Sequence, residues 1–168
     1  MDKIYSLIKK AGHSKYQLWL LNFILKFAIP FNKPHGFKII KINTQGITTF
    51  ARYRKKNFNH LRGIHACAIA TVGELAAGLS LINHFSPGQY RFIMSHLTVD
   101  YHYQAKKDIF AHATLSEEDK ANIILQLKDN EKVSQTIITD VYDTNQAKIA
   151  TMKTVWQIKD WKKVKTKR

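Results

Sequence analysis

The chain carries one cysteine, Cys67, in 168 residues, so no disulfide can close within it, and a reducing cytoplasm is the compartment this implies. Lying in an Ala-rich segment, Cys67 is expected to pack as a small hydrophobe rather than react. Acidic residues are scarce, 12 Asp and Glu against 27 Lys and Arg. The histidines that alternate along one stretch, His96, His102 and His112, lack the nearby Cys or carboxylate company that zinc favours, so no metal site is expected. Near the N-terminus residues 16–29 form an apolar run too short to span a bilayer, which takes about 20 residues. Gln17, Asn22 and Lys26 also interrupt it. No small-residue cleavage site follows before Pro30, which argues against a signal peptide. The segment reads as a helix docked on the core, with peripheral membrane contact through Trp19 and Phe23 as the second choice. No internal repeat and no low-complexity stretch is present.

What the chain does have is positive charge, a formal net of +15 with a pI near 9.9. That favours anionic partners: nucleic acid, acidic lipid, acyl carrier protein or a phosphorylated cofactor. The charge gathers in Arg52, Arg54, Lys55, Lys56 and Arg62, in Lys106 and Lys107, and in a basic tail, residues 160–168. Phe92, Tyr101 and Tyr103 could stack bases, yet no RNP-like or helix-turn-helix pattern accompanies them, so a nucleic-acid role rests on charge alone. With 45% hydrophobic residues the chain supports one domain around one core. The expected division is an N-terminal helical extension, residues 1–35, a folded domain over 36–159, and the tail.

Residues 37–43 and 47–53 are rich in β-branched and aromatic side chains and flank Thr44-Gln45-Gly46, which predicts a hairpin. A polar loop over 55–62 leads into a helix over 65–85, about 30 Å long, stopped by Ser86-Pro87-Gly88. Ala and Gly at positions 66, 68, 70, 73, 76, 77 and 78 strip bulk from several of its faces, so a sheet can wrap closely around it. Strands over 90–103 and 108–115 follow. Ser116 to Asp119 should cap a helix that presents Ile123, Ile124 and Leu127 on one face. Residues 132–142 and 146–159 make a last hairpin around Asp143-Thr144-Asn145.

Within this long helix stands Glu74, the one acidic residue between Arg62 and Arg91. Small and apolar neighbours at Cys67, Ala70, Thr71, Ala77, Gly78 and Leu81 would raise its pKa by desolvation. At the other end of the helix the first backbone N–H groups, around Ala66 and Cys67, have no internal partner and carry the positive end of the helix dipole. They can stabilise a developing oxyanion. Eight residues of helix separate Glu74 from Ala66, about 12 Å along one axis. A two-fold dimer would bring Glu74 of one subunit to the helix start of the other.

An α+β chain of two strands, a long helix and further antiparallel strands has the outline of a hotdog fold. Over residues 36–159 it resembles the hotdog thioesterase superfamily, in particular the phenylacetate-pathway type and the YiiD C-terminal-like branch. Members share an Asn, a Gly, a His-Gly-Gly opening the central helix, and an Asp or Glu nine positions beyond that His. Asn59, His65 and Glu74 occupy the corresponding places. Ala66-Cys67 stands where the family has Gly-Gly, and Gly63 lies one residue nearer the His than usual. The resemblance implies a curved antiparallel sheet around the central helix, a homodimer or tetramer, and hydrolysis of an acyl-CoA or acyl-carrier thioester without metal or redox cofactor.

On that reading Glu74 is the base or the nucleophile. Asn59 orients water or the carbonyl, His65 positions, and the Ala66 and Cys67 amides hold the oxyanion. Arg54, Lys55, Lys56, Arg62, Lys106 and Lys107 are candidates for the phosphates of coenzyme A. Blander readings stand beside these. Glu74 can be a helix-edge carboxylate reaching water or a lysine, His65 a satisfied helix-start histidine, Asn59 a loop or capping residue, and each basic group a solvated face. A hotdog protein that binds acyl groups or anionic lipid without hydrolysis is the competing function.

Overall fold

In the computed structural model the described residues are 2–44 and 46–164. Gln45 of the expected first turn and residues 165–168 of the basic tail lie outside them. Two helices come first, α1 (Asp2–Ala11) and α2 (Lys15–Ala28), the second capped by the Ser14 hydroxyl, which accepts from the Gln17 N–H. Asn22, the polar interruption of the apolar run, explains itself in space. Its Nδ2 donates to Ile39 O and its Oδ1 accepts from Ile39 N–H, each at 2.8 Å, so it pairs the free edge of the first strand.

Six antiparallel strands form one sheet: β1 (Lys38–Ile42), β2 (Gly46–Ala51), β3 (Tyr90–Tyr101), β4 (Ile109–Thr114), β5 (Val133–Asp143) and β6 (Lys148–Asp160). Their order is β1-β2-β4-β5-β6-β3, which puts β3 at an edge. The long helix α3 (Ala66–His84) is laid against β2, β4, β5 and β6, in the hotdog arrangement. Period-two alternation turns Ile47, Thr49 and Ala51 of β2 and Ile109, Ala111 and Ala113 of β4 inward, all fully buried. Two polar groups caught at this interface are paired: Thr49 Oγ1 donates to Val72 O at 2.6 Å, and Ser80 Oγ bonds Ala76 O and Ala113 O, whereas Thr139 Oγ1 on β5 has no partner among the described residues. Among the described residues α3 is the one helix long and apolar enough to cross a membrane by composition, and it is buried here as the core helix. A further helix, α4 (Glu117–Asp129), starts with the Ser116–Asp119 capping box.

Several boundaries differ from expectation. The strand expected over 90–103 ends at Tyr101, beyond which the His102 and Tyr103 N–H groups converge on Ile149 O of β6 instead of continuing the ladder, and the one expected to reach Tyr53 ends at Ala51. On α4 only Ile123 and Leu127 are buried; Ile124 lies a further 100° round the helix and is exposed. The last turn extends to Ala147, because the Asp143 carboxylate accepts from both the Asn145 and Ala147 N–H groups while Gln146 takes a left-handed φ of 63°.

α3 approaches the sheet tightly at Gly73, where a Cβ would run into the Met152 sulfur on β6. Gly73→Ala is therefore expected to destabilise by about 1–3 kcal/mol in urea melts, as overpacking does. In a Met152→Ala background the same substitution should cost less, a coupling that a double-mutant cycle would measure.

Candidate active site

The loop before α3 is a tight turn held by Asn59. Its Oδ1 accepts from Leu61 N–H and Gly63 N–H, both at 3.0 Å, while Asn59 N–H donates to Gly63 O. Arg62 takes a left-handed φ of 59° to close the turn. Gly63 is buried beneath Gln104, whose side chain a Cβ there would meet. Next, Ile64 N–H bonds Ala105 O and His65 N–H bonds Asn57 O, which fixes where the helix begins. His65 is the N-cap, and its Nδ1 accepts from Cys67 N–H at 3.1 Å. Of the two amides expected to face an oxyanion, Cys67 N–H is thus engaged, whereas Ala66 N–H has no partner among the described residues.

Cys67 is exposed, which corrects the expectation that it packs into the core. The reason is periodicity: Cys67, Ala70, Thr71, Glu74 and Gly78 share the one stripe of α3 that its own sheet does not cover. Ala77 and Leu81, expected beside Glu74, instead face the core and are fully buried.

Glu74 lines an apolar cavity of about 510 Å³, shared with Leu75, Leu79, Phe92, Trp156 and Trp161. Its carboxylate makes no hydrogen bond or ion pair with any described residue. Burial raises its pKa above the ordinary value, with no compensating charge. One Glu74 oxygen would lie 3.8 Å from a Cβ at Gly78, and the Trp156 ring packs over the same glycine, so the absent side chain leaves the cavity its depth.

Three cavities adjoin. A smaller one of about 170 Å³ at the helix start is lined by His65, Cys67, Ala68 and Thr71, and shares Thr71 and Phe31 with the Glu74 cavity. It also shares Lys56 with a cleft of about 570 Å³ lined by Lys26, Lys33, Lys38, Arg52, Arg54 and Lys56. Of the basic candidates, only Arg54 and Lys56 line that cleft; Lys55, Arg62, Lys106 and Lys107 line none of these cavities. Asn59, Gly63 and Ala66 also lie outside their walls. Among the described residues no group of three or more His, Cys, Asp or Glu side chains could hold a metal ion. His102 and His112 bond to Thr151 and Thr48 instead.

Two polar residues in the Glu74 cavity escaped the sequence reading. Asn32, in the turn after α2, is 8% exposed, and its buried Oδ1 has no hydrogen-bond partner. Arg91, on β3, lines the same cavity without an ion pair to Glu74. A lone Asn in a Pro-Phe-Asn-Lys turn carries no local signal of such a role, since only the packing of the extension against α3 puts it there.

The sheet order and the long helix laid against the sheet are those of a hotdog fold. The sequence matches the family described as domain of unknown function DUF4442 over residues 18–158, and the chain belongs to that family. Among solved structures it is similar to a Pseudomonas aeruginosa protein described as of unknown function, probable thioesterase, with a TM-score of 0.77 at 19% identity. That match covers 83% of this chain and 93% of the other. A Chlorobaculum tepidum protein of unknown function gives a TM-score of 0.74 at 13% identity, over 89% of this chain and 98% of that one. A Haemophilus influenzae thioesterase gives 0.67 at 10% identity, over 85% and 90%. No curated protein matches the chain.

The desolvated carboxylate has a stability signature. A Glu with a raised native pKa favours its protonated form on folding, so its ionisation opposes folding above the native pKa, and the effect vanishes below the unfolded value near 4.5. Glu74→Gln should melt higher than the parent at pH 7.5, with the gap closing as pH falls towards 4. Thermal melts across that range check it, and equal melting temperatures at pH 7.5 would contradict the desolvation.

Proposed function

We propose that the protein hydrolyses an acyl thioester, borne on coenzyme A or on an acyl carrier protein, with Glu74 as general base. The observation that carries this is the unpartnered, desolvated carboxylate at the wall of an apolar cavity of about 510 Å³ that adjoins a helix N-terminus. Such a cavity suits an acyl chain, and a carboxylate with a raised pKa is a stronger base at neutral pH. Hydrolysis proceeds by attack of a water oxygen on the carbonyl carbon as its proton passes to Glu74. The carbon–sulfur bond then breaks, and the leaving thiolate takes a proton. Attack by Glu74 itself, through an anhydride that water then opens, uses the same groups.

Ala66 N–H donates to the oxyanion, and Cys67 N–H joins it when the His65 ring turns off its cap. Asn59 has its Oδ1 committed to the loop, so its part is donation from Nδ2 to water or carbonyl. Asn32 completes the hydration of the Glu74 cavity. Arg54 and Lys56, beside the helix start, take phosphates of the carrier. No cofactor enters beyond coenzyme A as part of the substrate, and the setting is the cytoplasm.

The working unit is a homodimer. The outer edge of β3 has no neighbour in the sheet and exposes Ile93, Leu97 and Tyr101, and the uncovered stripe of α3 lies on the side where Tyr101 Oη donates to Ala66 O. A second protomer against this face sets Glu74 of one chain near the helix start of the other. One observation favours the other reading, binding without hydrolysis: Ala66-Cys67 replaces Gly-Gly, and the Cys67 amide is already capped.

Thiol release from a panel of acyl-CoA chain lengths separates the two. Glu74→Gln should lower kcat/KM by about 100-fold or more, the lower range for a positioned base. Asn59→Asp keeps both loop bonds but loses the Nδ2 donor, so it should lose turnover while melting near the parent temperature. Acyl-CoA binding with no turnover, or turnover that Glu74→Gln leaves intact, would favour the binder or refute the base.

A further inference from the structure

The exposed face of α2 and the turn after it form a ridge of aromatic side chains. Tyr16, Trp19, Phe23, Phe27 and Phe31 are each between 46 and 65% exposed, at spacings of three or four residues. Their rings touch in series: Tyr16 to Trp19 at 6.2 Å, Trp19 to Phe23 at 5.8 Å, Phe23 to Phe27 at 5.3 Å between centroids. The opposite face of α2 is already used, with Leu21 fully buried and Leu18, Ile24 and Leu25 against the core. The helix is therefore apolar on two sides with an underlying protein surface for only one of them. Lys15, Lys26 and Lys33 flank the ridge, and the Lys33 ammonium sits 5.1 Å from the centroid of the Phe27 ring. Every formally charged residue from Lys3 to Arg62 is basic.

We propose that this ridge is a docking surface for an anionic lipid bilayer, with the α2 rings entering the headgroup region and the flanking lysines meeting lipid phosphates. Tryptophan, tyrosine and phenylalanine beside lysine are the side chains that settle at a membrane interface, where one part is apolar and the surroundings are wet and negative. A second copy of the chain suits the ridge less. Self-complementary pairing would set a wholly basic face against itself, and one row of rings about 20 Å long falls short of the roughly 800 Å² per partner of a stable interface. The bilayer is complementary in both charge and polarity. Phe31 ends the ridge and also lines the Glu74 cavity with Ile29, so docking turns the mouth of that cavity towards the lipid. The consequence, entry of a long acyl chain from the membrane side, rests on the proposed reaction; the docking does not.

The test is flotation of the full chain with vesicles of phosphatidylcholine, with and without phosphatidylglycerol, alongside light scattering for oligomeric state. The parent protein should float with phosphatidylglycerol vesicles, less so at high salt, and poorly with phosphatidylcholine alone. The triple variant Trp19→Ser, Phe23→Ser, Phe27→Ser should bind at least about tenfold more weakly, since each buried ring contributes to partitioning. The double variant Lys26→Glu, Lys33→Glu should lose the preference for phosphatidylglycerol. Circular dichroism and melting check that these exposed substitutions leave the fold intact. Three results would overturn the proposal: no flotation of the parent, flotation that the folded ridge variants retain, or ridge variants that change only the oligomeric state.

Discussion

The wrap of the sheet around α3 is the constraint from which the rest follows. A helix can be enclosed this closely only where it presents almost no side chain, and Gly73, Ala76 and Ala77 meet the sheet with hydrogen or methyl. The sheet covers part of the helix circumference and leaves the stripe of Cys67, Thr71, Glu74 and Gly78 without a partner from β2, β4 or β5. Small residues continue along that stripe, so what stands there is a hollow. The single charge on α3 is placed in that hollow, where water is thinned but not excluded.

Glu74 is costly in such a place. A half-buried carboxylate with no hydrogen bond and no cation contributes nothing to holding the fold, and its shift is all desolvation. Structural carboxylates in this chain look different. Glu117 pairs with Lys120, Asp140 with Lys148 and Glu131 with Lys159, while Asp119 and Asp143 cap a helix and a turn. Against that set Glu74 is the exception, and Asn32, with its own unpaired buried oxygen in the same cavity, is the second. Two uncompensated polar groups around one apolar space single it out as the candidate site.

Legibility divided along the line between local and distant interactions. The hairpins, the span of α3 and the Ser116 cap could be read because turn chemistry and periodicity act within a few residues, and Glu74 because one acid in an apolar helix is visible by itself. The plain reading of Asn59 as a capping residue describes its oxygen, which serves the 59–63 turn. The exposure of Cys67 was not legible, because an Ala-rich helix carries no mark of which stripe the sheet leaves bare. Nor was the sheet order, since the crossover that sends β3 beyond β6 is set by packing around α3. Asn22 was visible only as a flaw in an apolar run, and its partner Ile39 lies 17 residues away.

The N-terminal extension ties these features together. Asn22 pins α2 to the open edge of β1, and from there the turn at Pro30 carries Phe31 and Asn32 over the bare stripe of α3. Without that turn the stripe would be an open groove, and the Glu74 carboxylate would regain water and lose its shift. The same turn carries Lys33 to the rim of the basic cleft. One short segment thus builds the wall of an apolar cavity, the edge of a cationic cleft and the end of an exposed aromatic ridge. An amphiphile with a negative head and a greasy tail is the class of molecule that could engage all three at once, which is why the chemistry of the site and the surface beside it point to the same kind of partner.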